Sequence, residues 1–149
     1  MILKEVFENI DFANRYQSIC QKHNDFEHCM SGSNKKKYLE ILKSIDNTVN
    51  YSSKDKTFKY SFKYKNHILD MILTLHGGMV ETHLNYIKDG EWLMYNRFDG
   101  YAKELNSNFN RELYNIPKYS TFQELENILK EIFSIYEDLK NEFVKINQN

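Results

Sequence analysis

At 149 residues, with 41% hydrophobic and 28% charged residues, the chain has the size and make-up of one soluble domain that can build a core without disulfides or metals. Its net charge of −1 argues against a general nucleic-acid or anionic-membrane binder, and no apolar run approaches the ~18 residues of a membrane span. The opening MILKEVFENIDF is broken by charges too early for a signal peptide, so the expected location is cytoplasmic.

Residues 2–23 place Leu3, Val6, Phe7, Ile10, Ala13, Tyr16, Ile19 and Cys20 on one stripe at helical spacing, which predicts an amphipathic helix lying on a core. SGSN at 31–34 supplies a break and a cap, and Tyr38, Leu39, Leu42 and Ile45 mark a shorter helix to about Asp46. From residue 57 the period switches to two. In TFKYSFKYK the aromatics Phe58, Tyr60, Phe62 and Tyr64 point one way, while Lys59, Ser61, Lys63 and Lys65 point the other. That separation prevents rings and lysines from jointly gripping a nucleic-acid strand, and lysines along a sheet margin deter edge pairing.

Gly77-Gly78 and Asp89-Gly90 read as two-residue hairpin turns. Counting back from them sets Thr74 opposite Glu81, Ile72 opposite His83, Glu81 opposite Phe98 and His83 opposite Asn96. Leu69, Met71, Leu73, Leu75, Val80, Leu84, Tyr86, Leu93 and Tyr95 then form a core face. The other face carries Asp70, Ile72, Thr74, His76, Met79, Glu81, His83, Asn85, Ile87, Trp92, Met94, Asn96 and Phe98, too polar for a dry core and too aromatic for a plain solvated surface.

Residues 99–119 show no clean period and read as a loop with a helical turn near Tyr101–Leu105. After Ser120 or Thr121 as a cap, a seam of Phe122, Leu125, Leu129, Ile132, Tyr136, Leu139, Phe143 and Ile146 predicts a helix of ~40 Å. Its steps of three and four favour another helix as partner, the first helix being nearest; a second copy on the same seam, forming a homodimer through the C-terminal helix, is the alternative. The expected fold is a single α+β domain over 1–149: two N-terminal helices, a four-stranded antiparallel meander and a long C-terminal helix.

Chemistry-bearing patterns are few. His76, Glu81 and His83 share a face with zinc-competent donors, but their positions span too wide a patch to converge at ~2.0–2.2 Å on one ion. Cys20, His23, Glu27, His28 and Cys29 cluster without a zinc-like spacing, and two cysteines in a cytosolic chain read as free thiols. No G-x-S-x-G, G-x-x-x-x-G-K, G-x-G-x-x-G or H-E-x-x-H occurs, so no residue is named as catalytic and no cofactor is implied. What remains is recognition. Trp92 and Phe98 beside Glu81, His83 and Asn96 have the composition enriched at protein interfaces, and the rival reading is a small enzyme or a ligand- or metal-binding domain using His76, Glu81, His83 and Trp92.

Charge is spread unevenly: residues 31–65 carry nine lysines against three acids, and the last thirty residues carry six acids against three lysines. In size, absence of a catalytic signature and a composition rich in AT-coded Asn, Lys, Ile, Tyr and Phe, the chain resembles the small bacterial immunity proteins that neutralise toxins. The resemblance is one of general type and implies a stoichiometric, non-catalytic complex with a cognate toxin domain, often a nuclease. Acids of the last helix, Glu131 and Asp138 among them, would then suit a basic nuclease cleft.

Overall fold

The computed structural model describes residues 1–148. Helices α1 (Lys4–Asn9), α2 (Phe12–Lys22) and α3 (Lys35–Ile45) precede strands β1 (Asn50–Ser52), β2 (Thr57–Tyr64), β3 (His67–His76), β4 (Met79–Lys88) and β5 (Glu91–Arg97), followed by α4 (Phe98–Leu105) and α5 (Phe122–Ile146). The strands form one antiparallel sheet in chain order, so the fold is the expected α+β type with an additional short edge strand. β1 is only three residues long, too short to show a period of two.

The expected first helix is two helices. Asp11 adopts a left-handed conformation (φ 56°) and breaks the chain between them, with Asn14 donating to its carboxylate at 2.9 Å. The break rotates Phe12 inward, where its ring lies 4.6 Å from Phe7 and 5.0 Å from Phe98. α3 begins at its expected cap, the Asn34 side chain accepting from the Lys37 amide at 3.0 Å.

α5 is capped by Thr121, whose side chain accepts from the Glu124 amide at 3.0 Å; Glu124 accepts in return from the Ser120 amide at 2.8 Å. Its seam does not pair chiefly with another helix. It lies on the sheet: Tyr136 donates to the Leu69 carbonyl at 2.8 Å, and Phe143 meets the rings of Tyr86, His67 and Tyr64. Leu125, Leu129, Ile132, Tyr136, Leu139 and Phe143 are all buried there, so the stripe expected to receive a second copy is inside the domain. The acids along one flank of α5 bind the N-terminal helices. Asp138 meets Arg15 at 2.9 Å, Glu131 pairs with Lys22, and Glu142 accepts from Asn9 at 2.8 Å.

Both hairpins form at the expected residues, with positive φ at Gly77, Gly78, Asp89 and Gly90, as a two-residue turn between twisted strands requires. The Gly77-Gly78 turn is packed against other segments. Gly77 donates to the Gly32 carbonyl at 2.9 Å, and Gly78 accepts from the Tyr119 amide at 2.8 Å. A Cβ on Gly78 would stand 2.5 Å from the Met30 carbonyl oxygen, so only glycine fits.

Candidate functional site: the open face of the sheet

The β3–β4 register sets Thr74 opposite Glu81 and Ile72 opposite His83, as the first turn dictates. β5 departs from expectation. Lys88 pairs with Glu91 and Ile87 with Trp92, but a bulge between Tyr86 and Ile87 then shifts the strand, so that Tyr86 faces Met94, Asn85 faces Tyr95, Leu84 faces Asn96 and His83 faces Arg97. Met94, Asn96 and Phe98 therefore leave the expected polar face, and Tyr95 and Arg97 take their places. The shift buries more apolar surface. Met94 and Phe98 enter the core, Phe98 at 0% exposure, a gain of about 2–3 kcal/mol for a side chain of that size.

Every aromatic contact and side-chain hydrogen bond between a helix and strands β2–β4 falls on one side of the sheet, as with Tyr38–Phe58, Tyr60–Phe133 and Tyr101 to the Leu84 carbonyl. The other side is open. At its β5 margin Trp92 is 58% exposed and Tyr95 71%, their ring centroids 6.0 Å apart; Tyr95 in turn lies 6.5 Å from His83. Ile87 stands beside Trp92 in the register, and the half-buried Ile68 and Ile72 continue the apolar surface on β3.

A polar strip continues from His83. Its Nε2 is 3.8 Å from Glu81 Oε1, which accepts from Arg97 at 3.5 Å. Arg97 also donates to both oxygens of Asp99, at 2.9 and 2.7 Å, and Arg111 adds a third bond at 2.7 Å. Two of the chain's three arginines thus meet on one carboxylate that is 1% exposed. Burial by itself would raise the Asp99 pKa, but the two guanidinium hydrogen bonds and charges outweigh it and hold the carboxyl below its usual range. The hydrogen bonds to Asp99, helped by its charge and opposed by burial, in turn raise Arg97 above its ordinary value. Burial is the main force on His83 and lowers its pKa; Glu81 opposes this and Arg97 adds to it, so the imidazole is neutral at pH 7.

Of the residues expected to meet a partner, Glu81, His83 and Trp92 share the open face, Asn96 turns to the other side, Phe98 is buried, and Glu131 and Asp138 sit on α5 against α2. His76 ends β3 beside the turn, away from Glu81 and His83, and no group of three or more His, Cys, Asp or Glu side chains among the described residues is arranged to hold a metal. Cys20 is fully buried, its thiol pushed up to about 12 by burial, while His23 is taken by Glu124 at 2.8 Å and Cys29 bonds to the Phe26 carbonyl. Tyr95, Arg97, Asp99 and Arg111 were not evident from sequence. The scarcity of arginine was the one available signal, since a guanidinium suits bidentate carboxylate pairing better than lysine.

No helix is long and apolar enough to cross a membrane among the described residues. Comparison of the chain with protein-family models, curated proteins and solved structures found no match.

Proposed function

We propose that the protein is a non-catalytic binding protein of the immunity type, which neutralises a cognate bacterial toxin domain by docking it on the open face of the sheet. One observation carries this reading: Trp92 and Tyr95 stand together and exposed on a face that no helix covers, with Ile87 beside them and His83, Glu81 and Arg97 alongside. Large rigid rings next to groups able to hydrogen-bond are the side chains that dominate binding energy at protein interfaces. Arg97 is held by Asp99 and Glu81 before any partner arrives, which lowers the entropy lost on docking.

Glu131, Asp138 and Glu142 of α5 are already engaged by α1 and α2, and the docking surface proposed is that of β4 and β5. On the β2 side the same face presents Lys59 and Lys63, neither of which forms an ion pair among the described residues. A toxin surface with an apolar centre and carboxylates toward that margin matches this pattern.

The test is co-expression with the product of the neighbouring reading frame, scoring growth and co-purification. Protection together with a stoichiometric complex is expected, both lost in the Trp92→Ala/Tyr95→Ala variant while its melting temperature stays at the parent value. Absence of complex and protection, or a variant that protects as well as the parent, would overturn the reading.

A further inference from the structure

A cleft of about 560 Å³ opens between the start of α3 and the β1–β2 turn, at the sheet edge opposite Trp92 and Tyr95. Lys35, Tyr38, Tyr51, Lys56, Phe58 and His76 line it. Three rings form one wall: Tyr51 lies 4.9 Å from Phe58, and Tyr38 meets Phe58 edge-on at 6.3 Å. Lys35 Nζ sits 4.2 Å from the centroid of the Tyr51 ring, which places an ammonium group at the aromatic surface. Lys35 and Lys56 form no ion pair among the described residues. The one carboxylate in the lining, Asp55, is engaged within its own turn by the Ser52 hydroxyl at 3.4 Å.

The geometry points to a site for a small aromatic anion, such as a nucleoside monophosphate or an aryl phosphate. The volume falls within the ~300–1,000 Å³ of small-molecule sites. A flat ring rests against Tyr51, the one ring of the wall that is not fully buried, and the anion lies toward Lys35 and Lys56, whose unpaired ammonium groups form charge-assisted hydrogen bonds. His76 closes the same end of the cleft and offers a further polar contact. Neither half of such a ligand uses the whole site: a neutral ring leaves two cations without a counter-charge, and a bare anion leaves the aromatic wall wet. The cleft meets the docking face at Thr74 but lies at the sheet edge far from Trp92 and Tyr95, so loss of ligand binding and loss of docking can be read independently.

The experiment is a titration of the ¹⁵N-labelled full chain with adenosine 5′-monophosphate and with phenyl phosphate, using adenosine and inorganic phosphate as the separate halves. Saturable shifts are expected at Lys35, Tyr38, Tyr51, Lys56, Phe58 and His76 with at least one of the two ring-bearing phosphates, and binding of each half weaker by about tenfold or more. Lys35→Gln/Lys56→Gln should weaken the binding by about tenfold or more with an unchanged melting temperature, and Tyr51→Phe should keep it. Trp92→Ala/Tyr95→Ala should leave it untouched. No saturation by either ring-bearing phosphate, shifts clustered elsewhere, or equal affinity in the double lysine variant would overturn the assignment.

Discussion

Trp92 and Tyr95 stand side by side on the open face, rings 6.0 Å apart, although they are three residues apart on one strand. In a regular strand such residues point to opposite faces. The bulge in the β4–β5 pairing, which leaves Leu93 without a partner in the register, reverses the alternation between them. One irregularity therefore brings Tyr95 onto the face of Trp92 and, at the same time, sends Met94 and Phe98 into the core.

The exposed and buried aromatics of this segment should respond in opposite ways. Trp92→Ala and Tyr95→Ala are expected to change stability by no more than about 0.5 kcal/mol, as surface substitutions do. Phe98→Ala, which empties a site packed by Phe12 and Tyr16, should cost about 3–5 kcal/mol. Urea unfolding of the three variants checks this, and a large loss at Tyr95 would mean that the face is covered.

Asp99 should matter more for stability than any surface ion pair. Asp99→Asn removes charge from a buried acceptor of three hydrogen bonds and is expected to cost about 2–3 kcal/mol. Glu131→Gln and Asp138→Asn, at exposed pairs with α2, should each cost about 1 kcal/mol or less and leave partner binding intact. Denaturation midpoints for stability and co-purification for binding separate these outcomes.

Acid should destabilise the protein in two ranges. Burial, reinforced by Lys88, holds His67 below its ordinary value, and burial does the same to His83. A histidine with a depressed folded pKa contributes stability that is present above its unfolded value, about 6.5, and is lost as pH falls through the folded one. Asp99 and Glu124 are also depressed, their hydrogen-bonded partners outweighing burial, so their contribution is lost lower, from about 4 downward. Melting temperature against pH should therefore decline below about 6.5 and more steeply below about 4. His67→Gln should flatten the first decline and leave the second.

Two hairpin glycines should differ in their tolerance of a methyl group. Both Gly78 and Gly90 have positive φ, which costs an L-residue about 1–2 kcal/mol. A Cβ on Gly90 meets nothing within 4 Å, whereas one on Gly78 overlaps Met30 and Cys29. Gly90→Ala is expected to cost about 1 kcal/mol and Gly78→Ala at least about 2 kcal/mol more, read as the difference in unfolding free energy. Equal costs would mean that the 23–34 segment is free to move away from the turn.

The local signals in the chain determined the α+β type, the α3 and α5 caps, both hairpin turns and the β3–β4 register, because each depends on residues within a few positions of one another. They left β1 unread and gave only a turn near Tyr101–Leu105 where the helix α4 runs from Phe98 to Leu105. Alternation in 57–65 placed Phe58 and Tyr60 in the core, and the α5 seam identified its buried side. Tertiary packing decided the rest. Nothing near Asp11 announces that a break there buries Phe12, and nothing near Leu93 announces a bulge, since both follow from distant apolar surface: Phe7, Phe12 and Phe98 meet only in the folded chain. The same holds for the Asp99 cluster, where Arg111 arrives from a segment with no period of its own, and for the partner of α5, a sheet where helical spacing had indicated a helix. Burial is summed over the whole molecule, so it can override the alternation of any single strand or the continuity of any single helix.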